Sequence, residues 1–303
     1  MATTKNYSKA LWNAVRGDRE YSPDLAEGTT RQGDYVMPDE FVGRFTAALE
    51  KENLFRRHAT VIQATPTSDR IEAVASTGEA EWVDENIAFP DSSDSFEEIK
   101  LNPCKLASLT CLKQTFIQDS QFDIEKYLTD DFARRFGRAE EKAFINGDGI
   151  TQPCGILHDT IGAQVGATAA SKTVLAFDDV KKLYFSLKPE HRRHAVWLMN
   201  DDTAFRLRSL NDSGGMDLWN HSTDTIFGRP VEISEHMPGV EAGGKPIVLA
   251  DLRYYWIVER RSLAIKMLWE LFSMKNQIGI AAHEILDGRL ILPEAARVLQ
   301  MAE

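Results

Sequence analysis

Cysteine is scarce in this chain, with three in 303 residues. That is too few for a disulfide framework and fits a reducing compartment. Cys104 and Cys111 stand seven apart, which on one regular strand points them to opposite faces. Long apolar runs are also missing, and none approaches the ~20 residues of a membrane-spanning helix. The N-terminus, MATTKNYSKALWNAV, lacks the basic-then-apolar layout of a secretory signal. Basic residues number 35 against 46 acidic ones, for a net charge of −11. Such a balance argues against a general nucleic-acid binder, which needs clustered Lys and Arg. The one exception is residues 1–19, where Lys5, Lys9, Arg16 and Arg19 oppose Asp18 alone. That pattern reads first as a solvated tail and second as a basic arm.

The sharpest absence is local. From Ile71 to Ile99 there are nine Asp or Glu residues and no Lys, Arg or His. No lysine occurs between Lys51 and Lys100. The centre of this stretch, AEWVDENIAFPDSSDSFEEIKL at 80–101, carries Trp82, Val83, Ile87, Phe89 and Phe96 among its acids. It has the apolar content of strands and nothing nearby in sequence to pack against.

What is present elsewhere fits a globular chain long enough for one large or two modest domains. Tyr7, Leu11 and Val15 fall at i, i+4 and i+8 and predict one apolar stripe on a short helix. A polar linker-like stretch follows, to about residue 34. Phe41, Phe45, Leu49 and the Leu54-Phe55 pair predict a helix. Residues 60–118 read as extended, with breaks at Pro66, Gly78 and Pro90. The strongest helix spans 119–146: Ser120 with Asp123 makes a capping-box-like start. Ile124, Leu128, Phe132 and Phe136 repeat every four residues, Ala139 and Ala143 extend the stripe, and Gly147 ends it. At 1.5 Å per residue it would run roughly 40 Å. Beyond it, FDDVKKLYFSLK and DDTAFRLRSL read as helices. HAVWLMN, TIFGRPVEIS, KPIVLAD, YYWIVE, LAIKML and QIGIAAHEILDGRLIL read as strands. PEAARVLQ reads as a closing helix with Pro at its first position. Strands and helices mix without a steady βαβ rhythm, so the class is α+β.

Motifs for chemistry are incomplete. GVEAGGKP at 239–246 satisfies seven positions of a phosphate-binding loop, but Pro246 stands where Ser or Thr would hold magnesium, and a strand follows where a helix is needed. This reads as a Gly-rich turn. His191 and His194 form an H-x-x-H pair without a third ligand, beside Arg192 and Arg193, and read as a solvated basic corner. Cys154 and His158 lack an orienting partner for nucleophilic work. Asp148 in NGDGI has too few acidic neighbours for an EF-hand loop. No catalytic, cofactor-binding or metal-ligating residue is assigned, and the expectation is a protein that is not an enzyme.

Read together, several segments carry a resemblance: GDYVMPDEF, AEWVDEN, FEEIKLNPCKLASLT and QDSQFDIEKYLTDDFARRFGRAEEKAFINGDGITQPCGIL. WLMNDDTAFRLRSLNDSGG, IFGRPVEISEHMP, KPIVLADLRYYWIVERRSLAIKML and HEILDGRLILPEAARVL continue it. In this order, over roughly residues 33–301, they resemble the major capsid proteins of tailed bacteriophages, which have the Hong Kong 97-type capsid fold.

The resemblance implies an N-terminal arm at 1–34, the start of a peripheral domain at 35–60, and an extended β loop at 61–110. It further implies a peripheral domain at 111–189 with the spine helix at 119–146, an axial domain at 190–250, and remaining axial strands returning to the peripheral domain at 251–303. Two extended legs of ~20 residues reach about 65 Å, beyond the roughly 50 Å diameter of a compact chain of this length. Such a ribbon either reaches a neighbour or folds into shorter local hairpins, and the resemblance favours the reach. Glu81, Trp82, Val83, Asp84, Glu85, Ile87 and Phe89 are then the expected interface residues. Arg134, Arg135 and Arg138 are candidate partners on the spine helix, and Tyr7, Leu11 and Val15 the arm's apolar contacts. Expected partners are other copies in hexamers and pentamers, a scaffolding protein, a portal, cement proteins, and packaged double-stranded DNA bound without sequence preference, with no membrane and no cofactor. Some relatives carry an N-terminal scaffolding segment that a protease removes. With the body starting soon after Met1, scaffolding here is expected to be separate or already trimmed. Other relatives cross-link the loop through a Lys–Asn bond, for which this loop has no lysine. The alternatives are an encapsulin-like shell that loads proteins, a nucleotide-binding enzyme using 239–246, and a minor capsid or tail component.

Overall fold

The computed structural model describes residues 5–16, 35–65, 70–76, 95–117, 119, 122–211, 215 and 217–303. Its strands form two sheets and a separate ribbon. The first sheet centres on a long antiparallel hairpin of β12 (Tyr255–Leu268) and β13 (Gln277–Leu290). Strand β5 (Cys104–Lys113) pairs antiparallel with β13, while β1 (Tyr35–Val36) and the parallel β2 (Thr60–Gln63) pair with β12. β5 alternates outward and inward residues along its length, as expected of an edge strand with one face on the core. β13 lies between two partners and is buried on both faces for most of its length.

The second sheet has seven strands in the order β6, β14, β11, β7, β10, β9, β8. These are Gln164–Thr168, Ala296–Gln300, Ile247–Ala250, Val196–Met199, Arg229–Ile233, Thr225–Ile226 and Trp219–Asn220. Period-two alternation makes this sheet a wall between two cores. Trp197, Met199, Ile247, Leu249 and Leu299 point into one core, which the helix Phe177–Ser186 also lines through Val180 and Leu183. Leu198, Val248, Ala250, Ala296 and Val298 point into the other, where Phe55, Phe144, Tyr255, Ile257 and Leu286 meet them. This explains why VWLM and IVLA are apolar at every position: both faces are covered.

The spine helix runs Ile124–Asn146, 23 residues or about 35 Å. It starts later than expected. Asp123, not Ser120, is the cap, its carboxylate accepting from the Lys126 amide at 3.0 Å. A residue four places on stands about 40° further round a helix, so the stripe Ile124, Leu128, Phe132, Phe136 winds about the axis. It continues through Glu140 and Phe144, all buried, while Ala139 is exposed. The first half packs in a core with the helix Asp39–Glu52, and the second half in the core shared with the seven-stranded sheet. One element thus serves both halves of the molecule.

Three further expectations are corrected. The closing helix is a one-turn 3₁₀ segment, Pro293–Ala295, followed by β14. A strand partner was invisible locally: β14 completes itself against β11, some fifty residues earlier, and against the parallel β6. The last strand therefore joins the sheet containing 196–250, and β6 joins it too, outside the expected axial span. Finally, Cys104–Thr110 belong to β5 of the first sheet, not to an extended loop.

Candidate assembly surface

The extended segment is an antiparallel ribbon of β3 (Arg70–Ser76) and β4 (Ser95–Lys100), with Arg70 opposite Lys100 and Ile71 opposite Ile99. Among the described residues it pairs with neither sheet. Arg70, the cation at its foot, holds both oxygens of Glu98 at 2.8 and 2.7 Å. The expected contact residues Glu81, Trp82, Val83, Asp84, Glu85, Ile87 and Phe89 lie outside the described residues.

Where β4 returns to the body, Asn102 locks it down. Its amide donates to Asp287 Oδ2 at 2.8 Å, and its side-chain nitrogen to the carbonyls of Gly149 and Ile150 at 3.1 and 2.6 Å. Burial raises the Asp287 carboxyl above its ordinary range, opposed by amides of Asn102 and Gly288. The loop that Asn102 grips is shaped by Asp148, whose Oδ1 accepts from the amides of Ile150, Thr151 and Gln152. Those bonds hold its carboxylate well below the usual range. Gly149 supplies the positive φ of 68°. Asp148 is thus a loop organiser.

The spine-helix arginines divide. All three are exposed. Arg135 is engaged within the chain: it pairs with Asp131 at 3.1 Å and donates to the Leu109 carbonyl at 3.2 Å. Arg134 and Arg138, one turn apart, have no ion pair or hydrogen bond among the described residues. At the N-terminus, the helix Lys5–Val15 forms as expected, but Tyr7, Leu11 and Val15 are buried in this chain's own core. Trp12 packs tilted against Phe41 at 5.4 Å, and Arg16 donates to the Asp119 and Phe122 carbonyls at 3.0 Å each.

The other motifs resolve into structure. Residues 239–246 make a turn with Gly243 at φ 70°, and Lys245 donates to Asp159 and to the Leu157 carbonyl at 2.7 and 3.1 Å. Burial pushes the Cys154 thiol up to about 11, and His158 Nδ1 instead accepts from the Thr160 amide at 3.3 Å. His191 is buried, so the basic corner is not solvated throughout.

Sequence reasoning missed a buried charge cluster between the spine helix and the β12–β13 hairpin. Arg56 gives a fork to Glu140, its Nε to Oε2 at 2.9 Å and its terminal nitrogen to Oε1 at 2.5 Å, and also pairs with Glu259. Asn53 donates to the same Glu140 at 2.9 Å. Glu284 lies against them, its carboxyl raised well above the ordinary value by burial and by Glu140. The available signal was Glu140 itself, a carboxylate standing on the continuation of the apolar stripe.

A model of the phage capsid family matches residues 33–301. The chain belongs to the phage capsid family. The capsid polyprotein of Pseudomonas phage PAJU2 is 24% identical over 220 residues, 69% of this chain and 31% of that protein. The chain therefore spans less than a third of that relative's length. The capsid of an empty GTA particle superimposes with a TM-score of 0.69 at 26% identity, covering 99% of this chain and 100% of that one. The capsid of the native GTA particle gives 0.66 at 28%, covering 96% and 98%. A chain of Microbacterium phage Oxtober96 shares the fold at a TM-score of 0.58 and 17% identity, over 82% and 91%. The α+β, Hong Kong 97-type capsid fold read from the sequence is the fold of this family member. Among the described residues, no helix is long and apolar enough to cross a membrane.

Proposed function

We propose that this chain is the major capsid protein of a tailed bacteriophage, associating as hexamers and pentamers into an icosahedral shell around double-stranded DNA. The observation that carries this reading is the ribbon β3–β4, which pairs with neither sheet although both sheets have edge strands to offer. A strand pair held only by itself is marginal in water, so its stabilising contacts belong to another copy. The acidic tip supplies Trp82, Val83, Ile87 and Phe89 for burial, and Glu81, Asp84 and Glu85 for charge. Arg134 and Arg138 present matching cations, and electrostatic complementarity of this kind fixes register more than affinity.

The mechanism is association, not turnover. Scaffolding, portal and cement proteins are the partners this role calls for, with assembly in the bacterial cytoplasm and residence in the virion. The net charge of −11 would keep packaged DNA from adhering to the wall. Electron microscopy of the expressed protein, alone and with its genomic neighbours, tests the proposal. Uniform icosahedral shells are expected; shells that copurify with a protein cargo and no nucleic acid would show an encapsulin-like compartment instead. Trp82→Ala, or Glu81 and Glu85 both changed to Lys, should leave the subunit folded by circular dichroism yet impair assembly. Normal shells from both variants would place the contact elsewhere.

A further inference from the structure

The H-x-x-H pair His191 and His194 has no third ligand nearby in sequence. The fold supplies one, though not for His194. Pro189 opens the short helix Pro189–Arg192, which carries Glu190 and His191, and Pro293 opens the turn that carries Glu294. Sheet pairing of β7, β11 and β14 brings these two proline turns together from about a hundred residues apart. One donor atom from each of Glu190, His191 and Glu294 lies within 4.8 Å of the others.

The imidazole is the telling group. The His191 side chain is 5% exposed, yet its buried Nε2 makes no hydrogen bond; Glu190 Oε1 stands 3.5 Å away. Burying a polar nitrogen without a partner costs about 1–3 kcal/mol. The ring is held edge-on to Tyr254 at 5.1 Å and 89°, so packing fixes where Nε2 points. Glu190 is its near neighbour, and a Glu294 carboxylate oxygen lies within the same 4.8 Å group. Their side chains are 66% and 37% exposed, so each reaches solvent. Imidazole nitrogen and carboxylate oxygen are both zinc ligands, at ~2.0–2.2 Å from the ion, and three protein ligands leave a fourth position for water. Lys188 and Arg297 are the neighbouring cations, and Lys188 Nζ holds Glu294 Oε2 at 2.7 Å, opposing metal for the same carboxylate.

We propose that Glu190, His191 and Glu294 bind a divalent transition-metal ion, Zn²⁺ by preference, which staples the link before β7 to the link before β14. The three residues are not among those assigned to the candidate assembly surface. Bound metal should raise the subunit's melting temperature, because only the folded chain brings the three donors together.

The test uses the whole chain on a Cys111→Ser background, since Cys111 is exposed and free. The metal-stripped protein is titrated with Zn²⁺ by calorimetry and with Co²⁺ by visible absorption. One ion per chain is expected, with the Co²⁺ band of a tetrahedral site. Glu190→Gln, at an exposed position, and Glu294→Gln, at a half-buried one, should each weaken binding by about 10-fold or more without altering the fold. Lys188→Met should strengthen it, an effect a merely structural role for these residues would not produce. Absence of stoichiometric uptake from micromolar Zn²⁺, or unchanged affinity in Glu294→Gln, would overturn the proposal.

Discussion

One arginine decides how the spine helix is held against the β12–β13 hairpin. Arg56 is almost fully buried and faces Glu140, Glu259 and Glu284. Removing one partner from a buried charge group leaves the rest uncompensated, at about 3–5 kcal/mol. Arg56→Met should therefore lower unfolding free energy by that order in denaturant titration; a loss under about 1 kcal/mol, the range of an exposed pair, would mean the cluster is solvated. Lysine cannot supply the fork and should fall between. Glu284 adds a pH dependence. In the fold its carboxyl keeps its proton well above the ordinary value of 4.5. The unfolded chain releases that proton near 4.5, so stability is full below this pH. It declines as pH rises from there until the folded-state carboxyl ionises. Glu284→Gln should flatten the decline, measured as unfolding free energy against pH. Gly147 is constrained by contact rather than by φ: an added Cβ would lie 2.0 Å from the Pro153 carbonyl oxygen. Gly147→Ala forces backbone apart and should destabilise by about 1–3 kcal/mol.

Elements were legible where local chemistry and tertiary context agreed. The spine helix, the helix at 201–208 with Asn200 as its cap, and the strand 196–199 all form within a few residues of expectation. Caps were less legible, because Ser120 and Asp123 are both acceptable by residue type. Asp123→Ala should cost about 1 kcal/mol in thermal unfolding, while Ser120→Ala should cost little. The hairpin between β9 and β10 turns on Phe227 and Gly228, at φ 49° and 72°. A phenylalanine is a poor choice for left-handed backbone. Here Tyr184 at 5.0 Å and Phe177 at 6.0 Å hold its ring in the core, so packing overrides propensity. The same override turned PEAARVLQ into a turn and a strand: alanines allow a helix, but two open sheet edges took them first.

At the scale of the whole molecule, the proposed shell is held by burial and charge. With no lysine between Lys51 and Lys100, the ribbon tip has no amine for an isopeptide bond. Boiled, reduced shells should run as a single band at the 34.1 kDa of one chain on a denaturing gel, and a ladder of multimers would refute this. The sequence by itself determined the family, the helices with strong four-residue stripes, the doubly apolar strands and the acid-rich, lysine-free ribbon, because each is written in composition or in short-range period. Only the tertiary structure decided where strands 164–168 and 296–300 go, that Tyr7, Leu11 and Val15 are consumed within the chain, that among the described residues Arg135 is occupied while Arg134 and Arg138 are not, and that Glu190 and His191 meet Glu294. Those outcomes depend on contacts between residues far apart along the chain, and no local pattern encodes which distant partner a residue will find.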